Sequence, residues 1–373
     1  MLRRLRAGRQ EGSEEKRFAD LRPDHRPPHR GNGCAGGWYG AGLIGARTLD
    51  VPAVARAMRS GMVGAVAHRP KRAIKAAFQG ERGAFSEDAA RALLGEQVEP
   101  IPHRSFEAMF EAVARGEADC AAVPIENSLA GSVYKNYDLL LEHDLTISGE
   151  VNLRITHHLI APPGVALKSV RRVHSHPVAL AQCEKFLRAH PAIEALPAYD
   201  TAGSVKLVME RGRSDEAAIA GRSAAAVHGA EILCEGIESH PQNFTRFLLL
   251  ARPDRAPEVA VEEQKEAKKT SVVFQLKNRP GALFKALAVF ALRDIDLTKL
   301  ESRPILGRPW EYSFYLDLIG DTADPPVERA LSNLAEVSES LRVLGCYPRG
   351  ATIHADVGIR QISRTPGRQL GRR

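Results

Sequence analysis

Short apolar segments alternate with amphipathic segments from residue 74 to residue 250, and this alternation constrains the fold more than any other feature. Residues 74–78, 121–125 and Glu216–Ala220 have the length and composition of buried strands. The segments between them, such as Thr201–Arg211, are typical of helices of about ten residues. Strands that alternate with helices of this length favour parallel sheets. The sequence therefore predicts an α/β fold made of α/β units.

A second α/β pattern follows a polar linker. Residues 254–269 are rich in Glu and Lys and contain few large apolar residues, as in a solvated linker. Residues 270–350 predict the order strand, helix, strand, strand, helix, strand, which is the ferredoxin-like βαββαβ unit. The edges of such a sheet often pair with a second copy. Residues 351–373 form a basic tail without periodicity.

The excess positive charge lies at the start of the chain. Residues 1–75 hold 16 Lys and Arg against 6 Asp and Glu, whereas the remainder holds 36 against 39. A nucleic-acid-binding protein carries its basic residues on a folded face, so no nucleic-acid partner is expected. Residues 1–73 are rich in Arg, Gly and Pro and predict a disordered leader. The leader has one of three origins: a native tail, a transit peptide, or sequence upstream of a true start at Met62. We expect residues 1–61 to be dispensable.

Cysteine and histidine usage argues against cross-linked and metal-dependent classes. The five cysteines form no Cys-x-x-Cys pair, which fits a reducing compartment. No apolar stretch approaches the roughly 20 residues that span a membrane. His157-His158 and His174-x-His176 are more typical of polar strand residues than of metal ligands. We therefore expect a cytoplasmic protein with no membrane partner, no metal and no cofactor.

Polar residues follow three of the predicted strands. They lie at Glu126-Asn127-Ser128, at Ser175-His176-Pro177 with Gln182, and at residues 200–204, which open a helix. In open α/β sheets, ligands bind outside the carboxyl ends of the strands. Helix N-termini there offer free N–H groups to anions. Each segment alone is typical of a helix cap, but together they predict a cleft for a small anion.

Two polar residues interrupt the apolar segment 243–250. Side chains alternate between the two faces of a strand, so Thr245 lies on one face and Arg246 on the other. A hydroxyl and a guanidinium in a half-buried strand need partners, since an unpaired buried polar group costs about 1–3 kcal/mol. This is either a core strand whose Arg pairs with a carboxylate or one wall of the predicted cleft.

Several of these segments resemble a known family. They are Ala77-Phe78-Gln79-Gly80, Gly83-Ala84-Phe85-Ser86, residues 123–128, Ser175-His176-Pro177 with residues 179–183, Asn243-Phe244-Thr245-Arg246-Phe247, Gly281-Ala282-Leu283-Phe284 and Glu301-Ser302-Arg303-Pro304. Residues 74–253 resemble the prephenate dehydratase catalytic domain, and residues 270–350 resemble its regulatory ACT domain. Val178 departs from the family, which usually has Gln there, and this could lower turnover.

The resemblance implies a two-lobed catalytic domain of the periplasmic-binding-protein type 2-like fold and a ferredoxin-like ACT domain. It implies decarboxylative dehydration of prephenate to phenylpyruvate in phenylalanine biosynthesis. The alternatives are conversion of arogenate to phenylalanine, and a non-catalytic sensor of small molecules. It also implies feedback regulation by phenylalanine in a homodimer or homotetramer.

The resemblance also assigns roles to individual residues. Thr245 would donate a proton or a strong hydrogen bond to the departing ring hydroxyl. Arg246 would either contact the substrate or brace its strand. The implied substrate-binding residues are Glu126, Asn127, Ser128, Gln182, Thr201, Arg246 and Phe247. The implied effector-binding residues are Asn278, Pro280, Gly281, Ala282, Leu283, Glu301, Ser302 and Arg303, with the last three completing the pocket from a partner subunit.

Overall fold

The computed structural model describes residues 73–259, 267–305 and 307–354. The leader expected over residues 1–73 lies outside this part except for its last residue, as do residues 260–266 of the linker and 355–373 of the tail. None of the helices within the described ranges has the length and apolar character needed to cross a membrane.

The first sheet contains the strand with Thr245. Its strands are β1 (Lys75–Gln79), β2 (Glu99–His103), β3 (Cys120–Asn127), β4 (Gly131–Ser132), β5 (Thr146–Arg154), β11 (Phe244–Ala251) and β16 (Thr352–His354). Over the described residues the order is β16-β5-β11-β3-β1-β2, with β4 beside β3. β1 is parallel to β2 and β3, whereas β11 is antiparallel to β3 and β5. The parallel pairing that the sequence favours is present between β1 and its two neighbours, whereas β11 is antiparallel because the chain enters it without a crossover helix.

Three helices cover the two faces of this sheet. They are α1 (Phe85–Leu94), α2 (Phe106–Ala114) and α3 (Tyr134–Glu142). Ser105 caps α2 and accepts a hydrogen bond from the Ala108 N–H at 3.2 Å. Phe247 packs in one core cluster with residues of α1, and Leu248 packs in another with residues of α2 and α3. Side chains of β11 therefore alternate between two cores.

The second sheet forms the other lobe. Its strands are β6 (His158–Ala161), β7 (Arg172–Ser175), β8 (Glu194–Pro197), β9 (Glu216–Ala220) and β10 (Glu231–Cys234), in the order β10-β6-β9-β7-β8 over the described residues. Its α-helices are α4 (Pro177–Gln182), α5 (Glu184–Ala189), α6 (Thr201–Arg211) and α7 (Arg222–His228). The chain passes between the two sheets twice, at residues 155–157 and 235–243.

The helical segment over residues 177–189 is divided into α4 and α5 at Cys183. Ser239 accounts for the break. Its N–H donates to the Gln182 carbonyl at 2.7 Å, and its hydroxyl accepts from the Lys185 N–H at 3.1 Å. Both backbone groups would otherwise belong to one continuous helix. The break leaves Gln182 at the end of α4.

The third sheet has the predicted βαββαβ order. It consists of β12 (Lys268–Gln275), α9 (Ala282–Ala291), β13 (Leu297–Pro304), β14 (Tyr312–Ile319), α10 (Pro325–Val337) and β15 (Ser340–Pro348), and a short helix α8 (Ala256–Val259) precedes it. The strand order over the described residues is β13-β14-β12-β15, and all pairs are antiparallel. Both helices pack on one face of this sheet.

The other face of the third sheet packs against the first sheet and α3. Tyr315 and Leu344 share a buried cluster with Tyr137 and Ile147. Gly345 makes the closest approach, since a Cβ at this position would lie 2.2 Å from the Ile147 carbonyl oxygen. Strand β16 then pairs with β5, so residues 352–354 of the expected basic tail form a strand of the first sheet.

Candidate active site

Thr245 and Asn127 lie opposite each other on the antiparallel strands β11 and β3. The Asn127 Nδ2 donates to the Thr245 Oγ1 at 2.9 Å and to the Asn243 Oδ1 at 2.8 Å. The Thr245 hydroxyl is therefore an acceptor in this pair, and its own proton is left to donate elsewhere. Among the described residues, no acceptor for that proton lies within hydrogen-bonding distance.

The orientation of the Asn127 amide is fixed by backbone donors. Its Oδ1 accepts from the N–H groups of Leu129 at 3.0 Å and Ala130 at 2.8 Å, and these groups can only donate. The Nδ2 must therefore face Thr245. Glu126-Asn127-Ser128 thus forms a turn at the end of β3 that presents an amide donor to the neighbouring strand.

Gln182 reaches this pair from the second lobe. Its Nε2 donates to the Asn127 Oδ1 at 3.2 Å, and its Oε1 accepts from the Asn243 Nδ2 at 2.9 Å. Side chains from both lobes therefore form one hydrogen-bonded network of amides. Ser128 supports the network from outside it, since its hydroxyl donates to the Gln242 carbonyl and accepts from the Phe244 N–H, both at 3.0 Å.

His157 completes the network from the passage between the lobes. Its Nε2 lies 2.8 Å from the Gln182 Oε1, which is an acceptor, so this nitrogen carries the proton. The ring is buried, and burial lowers the pKa of His157 below its ordinary value. A neutral imidazole with a fixed tautomer therefore holds Gln182.

Glu126 and Arg246 face away from Thr245, as strand alternation requires. Arg246 pairs with Glu150 at 2.6 Å and with Asp317 at 2.5 Å. Lys299 pairs with Glu126 at 3.0 Å. Burial opposes the charge of Arg246, but the nearby carboxylates hold its pKa well above the usual value. These contacts are those of a strand brace against the third sheet, and they leave neither side chain beside Thr245.

Phe247 shares the face of Thr245 but lies in the hydrophobic core with Val151 and Leu249. Thr201 is the first residue of α6, which Asp200 caps through a bond from the Gly203 N–H to its Oδ1. Val178 is an exposed residue of α4. The structure thus brings Asn127, Gln182 and Thr245 together, places Thr201 at a helix N-terminus of the second lobe, and buries Phe247.

The residues expected to bind an effector divide into two groups. Asn278, Pro280, Gly281 and Leu283 lie at the exposed turn before α9 and at its start, and Ala282 follows Gly281, whose φ is +75°. Glu301 and Arg303 instead face the first lobe of the same chain. Glu301 accepts from the Ser132 hydroxyl at 2.5 Å, and Arg303 pairs with Asp138 at 3.0 Å. Ser302, between them, is exposed.

Sequence reasoning assigned no role to three residues of this region: His157, Asp200 and Asn243. Asn243 lay within a recognised segment, and Asp200 stood before a helix. The signal for His157 was absent, because a histidine between two strands does not reveal its partner. Across the described residues, no group of three or more His, Cys, Asp or Glu side chains could hold a metal ion.

The domains match two family models. Residues 76–255 match the model described as prephenate dehydratase, and residues 270–336 match the ACT domain model. The arogenate dehydratase/prephenate dehydratase 2 of Arabidopsis thaliana is 45% identical, over 75% of this chain and 74% of the relative. Arogenate dehydratase 2 of Petunia hybrida is 44% identical, over 75% and 73%. This chain belongs to the prephenate/arogenate dehydratase family and has a C-terminal ACT domain.

Two solved structures of similar chains have the same fold. A prephenate dehydratase from Arthrobacter aurescens in complex with L-Phe has a TM-score of 0.67 and 36% identity, covering 79% of this chain and 93% of that one. GqqA, described as a novel type of quorum-quenching acylase, also has a TM-score of 0.67 and 36% identity, covering 74% and 98%. The α/β fold with two lobes and an ACT domain, predicted for this dehydratase family, is confirmed.

Proposed function

We propose that this dehydratase catalyses the decarboxylative dehydration of prephenate or arogenate, with Thr245 as the hydrogen-bond donor to the departing hydroxyl. The observation that carries the proposal is the direction of the Asn127–Thr245 hydrogen bond, which leaves the Thr245 proton unused by the protein. The relatives are named for these two activities. The two substrates share the ring and the leaving groups, so one site serves both reactions.

The chemistry needs a donor more than it needs a base. The electron pair of the ring carbon–carboxylate bond moves into the ring as CO2 leaves, and the ring expels the opposite hydroxyl, which gains a proton and departs as water. The product ring is aromatic. A Thr hydroxyl is a weak acid, so its contribution is a positioned hydrogen bond to the developing negative charge on the leaving oxygen. Water restores any proton that Thr245 transfers.

The amide network supplies the positioning. Asn127 fixes the Thr245 oxygen, and Gln182 and Asn243 fix Asn127. The amides do not titrate, and burial lowers the pKa of His157 in the same network, so the network keeps its geometry at neutral pH. The N–H groups at the start of α6, beside Thr201, are suited to a carboxylate of the substrate.

Neither an acylase nor a sensor function fits the site as well. Nucleophilic attack by Thr245 would require a base beside its hydroxyl, but its partner is the Asn127 amide, and His157 bonds to Gln182 instead. A sensor need not retain a hydroxyl donor that the protein itself leaves unused. The arrangement therefore supports dehydration.

We also propose that phenylalanine regulates the enzyme through the ACT domain, in a cytoplasmic homodimer or homotetramer. The support is the exposed turn at Asn278–Gly281 with the free N–H groups of α9, which is suited to an amino-acid carboxylate. The A. aurescens relative was solved with L-Phe.

An assay of the purified full chain tests the dehydratase proposal. Prephenate and arogenate are supplied separately, and phenylpyruvate and phenylalanine are quantified by chromatography against a heat-denatured control. We expect turnover of at least one substrate, with one CO2 released for each aromatic product. Absence of turnover with both substrates would contradict the proposed function.

A further inference from the structure

One carboxylate at the edge of the second lobe has an oxygen that the protein does not use. Asp200 is 9% exposed, and its Oδ1 accepts the capping hydrogen bond from the Gly203 N–H. Its Oδ2 is buried without a hydrogen-bond partner. None of the Lys and Arg residues in the described ranges forms an ion pair with Asp200. The backbone N–H of Glu81 also stabilises the ionised carboxylate, but no Lys or Arg side chain within those ranges does, so Oδ2 can still accept a hydrogen bond from a ligand.

The capping role does not account for the charge. Ser, Thr and Asn cap helices about as well as Asp, and they do so without burying a carboxylate. Burial is the largest influence on Asp200 and raises its pKa, so an ionised carboxylate at this position costs free energy of folding. A buried unpaired acceptor calls for a ligand that supplies a cation or a donor.

Asp200 lies where the two lobes approach each other. A Cβ on Gly80, in the turn after β1, would lie 3.7 Å from the Asp200 Oδ2. Beside this contact, the Gln79 Nε2 donates to the Tyr199 hydroxyl at 3.0 Å, so the ends of β1 and β8 meet across the cleft. The same turn holds Glu81, whose carboxylate pairs with Lys206 of α6 at 3.2 Å.

The helix α4 lies between Asp200 and the network around Thr245, the proposed donor. His176, at the start of α4, interacts electrostatically with Asp200, and Gln182, at its end, bonds to Asn127. A six-residue helix is about 9 Å long. That length is comparable to a cyclohexadiene ring with a three-carbon side chain, so a substrate whose hydroxyl meets Thr245 can extend towards Asp200.

Prephenate and arogenate differ at one carbon of this side chain. Prephenate carries a keto group there, and arogenate carries an ammonium group. An ammonium group offers three donors and a positive charge to a carboxylate, whereas a keto oxygen is an acceptor that a carboxylate repels. The adjacent N–H groups of α6 suit the carboxylate on the next carbon. Asp200 and α6 together therefore match an α-amino acid.

We propose that Asp200 is a specificity-determining residue that binds the α-ammonium group of arogenate, so that this enzyme prefers arogenate to prephenate. The inference rests on the proposed function and specifies its substrate. No residue changes its covalent bonding in this role, since Asp200 acts only by pairing with the bound substrate.

The test compares kcat/KM for the two substrates in the wild type and in Asp200→Asn, which keeps the cap and the shape of the side chain. We expect the wild type to prefer arogenate. We expect the variant to lose about 10- to 100-fold in kcat/KM for arogenate, as for a lost charge-assisted hydrogen bond. Its kcat/KM for prephenate should stay within about threefold of the wild type or rise, because a repulsive charge is removed.

Two further variants serve as controls. Asp324→Asn removes an exposed carboxylate at the N-cap of α10 and should leave the ratio of the two kcat/KM values unchanged. Asp200→Ser also keeps a capping oxygen and should lower the ratio as Asn does. Equal losses with both substrates, an unchanged ratio, or a wild type that prefers prephenate would overturn this inference while leaving the dehydratase proposal standing. Lack of turnover with either substrate would instead reject the dehydratase proposal.

Discussion

The side chains around Thr245 are neutral, and they fix the direction of the hydrogen bond between Asn127 and Thr245. Three amides and one imidazole form this network. Backbone N–H groups, which can only donate, fix the orientation of the Asn127 amide, and the donor and acceptor roles of the other side chains follow from it. His157 is separated from Thr245 by three hydrogen bonds, which run through Gln182 and Asn127. It acts as a positioning residue rather than as a proton carrier.

We predict that His157→Leu lowers kcat about 10-fold, because Gln182 loses a buried donor and no longer holds Asn127 in one orientation. Steady-state kinetics with a thermal melt of each variant provides the measurement. His158→Leu is the matched control, since the His158 Nδ1 accepts from the Gly236 N–H, which lies outside the amide network. Equal kcat values in the two variants would refute the role of His157.

The raised pKa of Asp200 predicts how stability depends on pH. A carboxyl with a folded-state pKa above its unfolded value binds protons more tightly in the folded state. Its contribution to stability is complete below the unfolded pKa and is lost as pH rises through the folded pKa. Asp200→Asn should therefore raise Tm at pH 7 by about 2–4 °C. The gain should vanish in acid, and an equal gain at both pH values would contradict this linkage.

At the scale of single elements, strands β3 and β11 separate two tasks by alternation. Asn127 and Thr245 face the second lobe, where Gln182 bonds to Asn127, whereas Glu126 and Arg246 on the same strands face the third sheet. Sequence alternation predicted that Thr245 and Arg246 would lie on opposite faces. It could not show which face held the ligand, because the carboxylates that pair with Arg246 come from residues distant in the chain.

The positions of helices and strands were predictable where the hydrophobic periodicity and the amino-acid composition indicated the same type of element. The helix Thr201–Arg211 and the strand Glu216–Ala220 have the expected bounds. Strand β2, with two prolines in Glu-Pro-Ile-Pro-His, was missed because proline is disfavoured in central strands, and β2 lies at a sheet edge. Strand β16 was missed because its pairing depends on the packing of the third sheet, which no local pattern encodes.

We predict that Arg246→Met lowers the free energy of unfolding by about 3–5 kcal/mol, because it leaves Glu150 and Asp317 as buried carboxylates with a lost partner. Urea unfolding followed by circular dichroism measures the loss. Arg252→Met removes a more exposed pair with Asp254 and should cost at most about 1 kcal/mol. Comparable losses in both variants would show that the Arg246 cluster is not a structural brace.

For the whole molecule, the ACT domain touches the strands that carry the site. The edge strand β13 contributes Lys299 to Glu126 and Arg303 to Asp138. Asn127, which holds Thr245, is the neighbour of Glu126. A change in the position of β13 therefore has a short physical path to the candidate site, and regulation through this path requires phenylalanine to favour one position over the other.

We predict that Lys299→Met reduces the inhibition of turnover by phenylalanine at least about fivefold while phenylalanine still binds. Calorimetry measures the binding, and turnover at increasing phenylalanine concentration measures the inhibition. Arg308→Met, which removes a pair with Glu311 outside this contact, should retain both. Absence of any binding heat in the wild type would rule out phenylalanine regulation itself.

Turnover by a variant without the Thr245 hydroxyl tests the central claim most directly. Thr245→Ala should lower kcat on the order of 10²–10³-fold, as for loss of one transition-state donor. Thr245→Ser, which keeps the hydroxyl, should retain most of the activity, and both variants should melt close to the wild type. A folded Thr245→Ala protein with undiminished kcat would contradict the account.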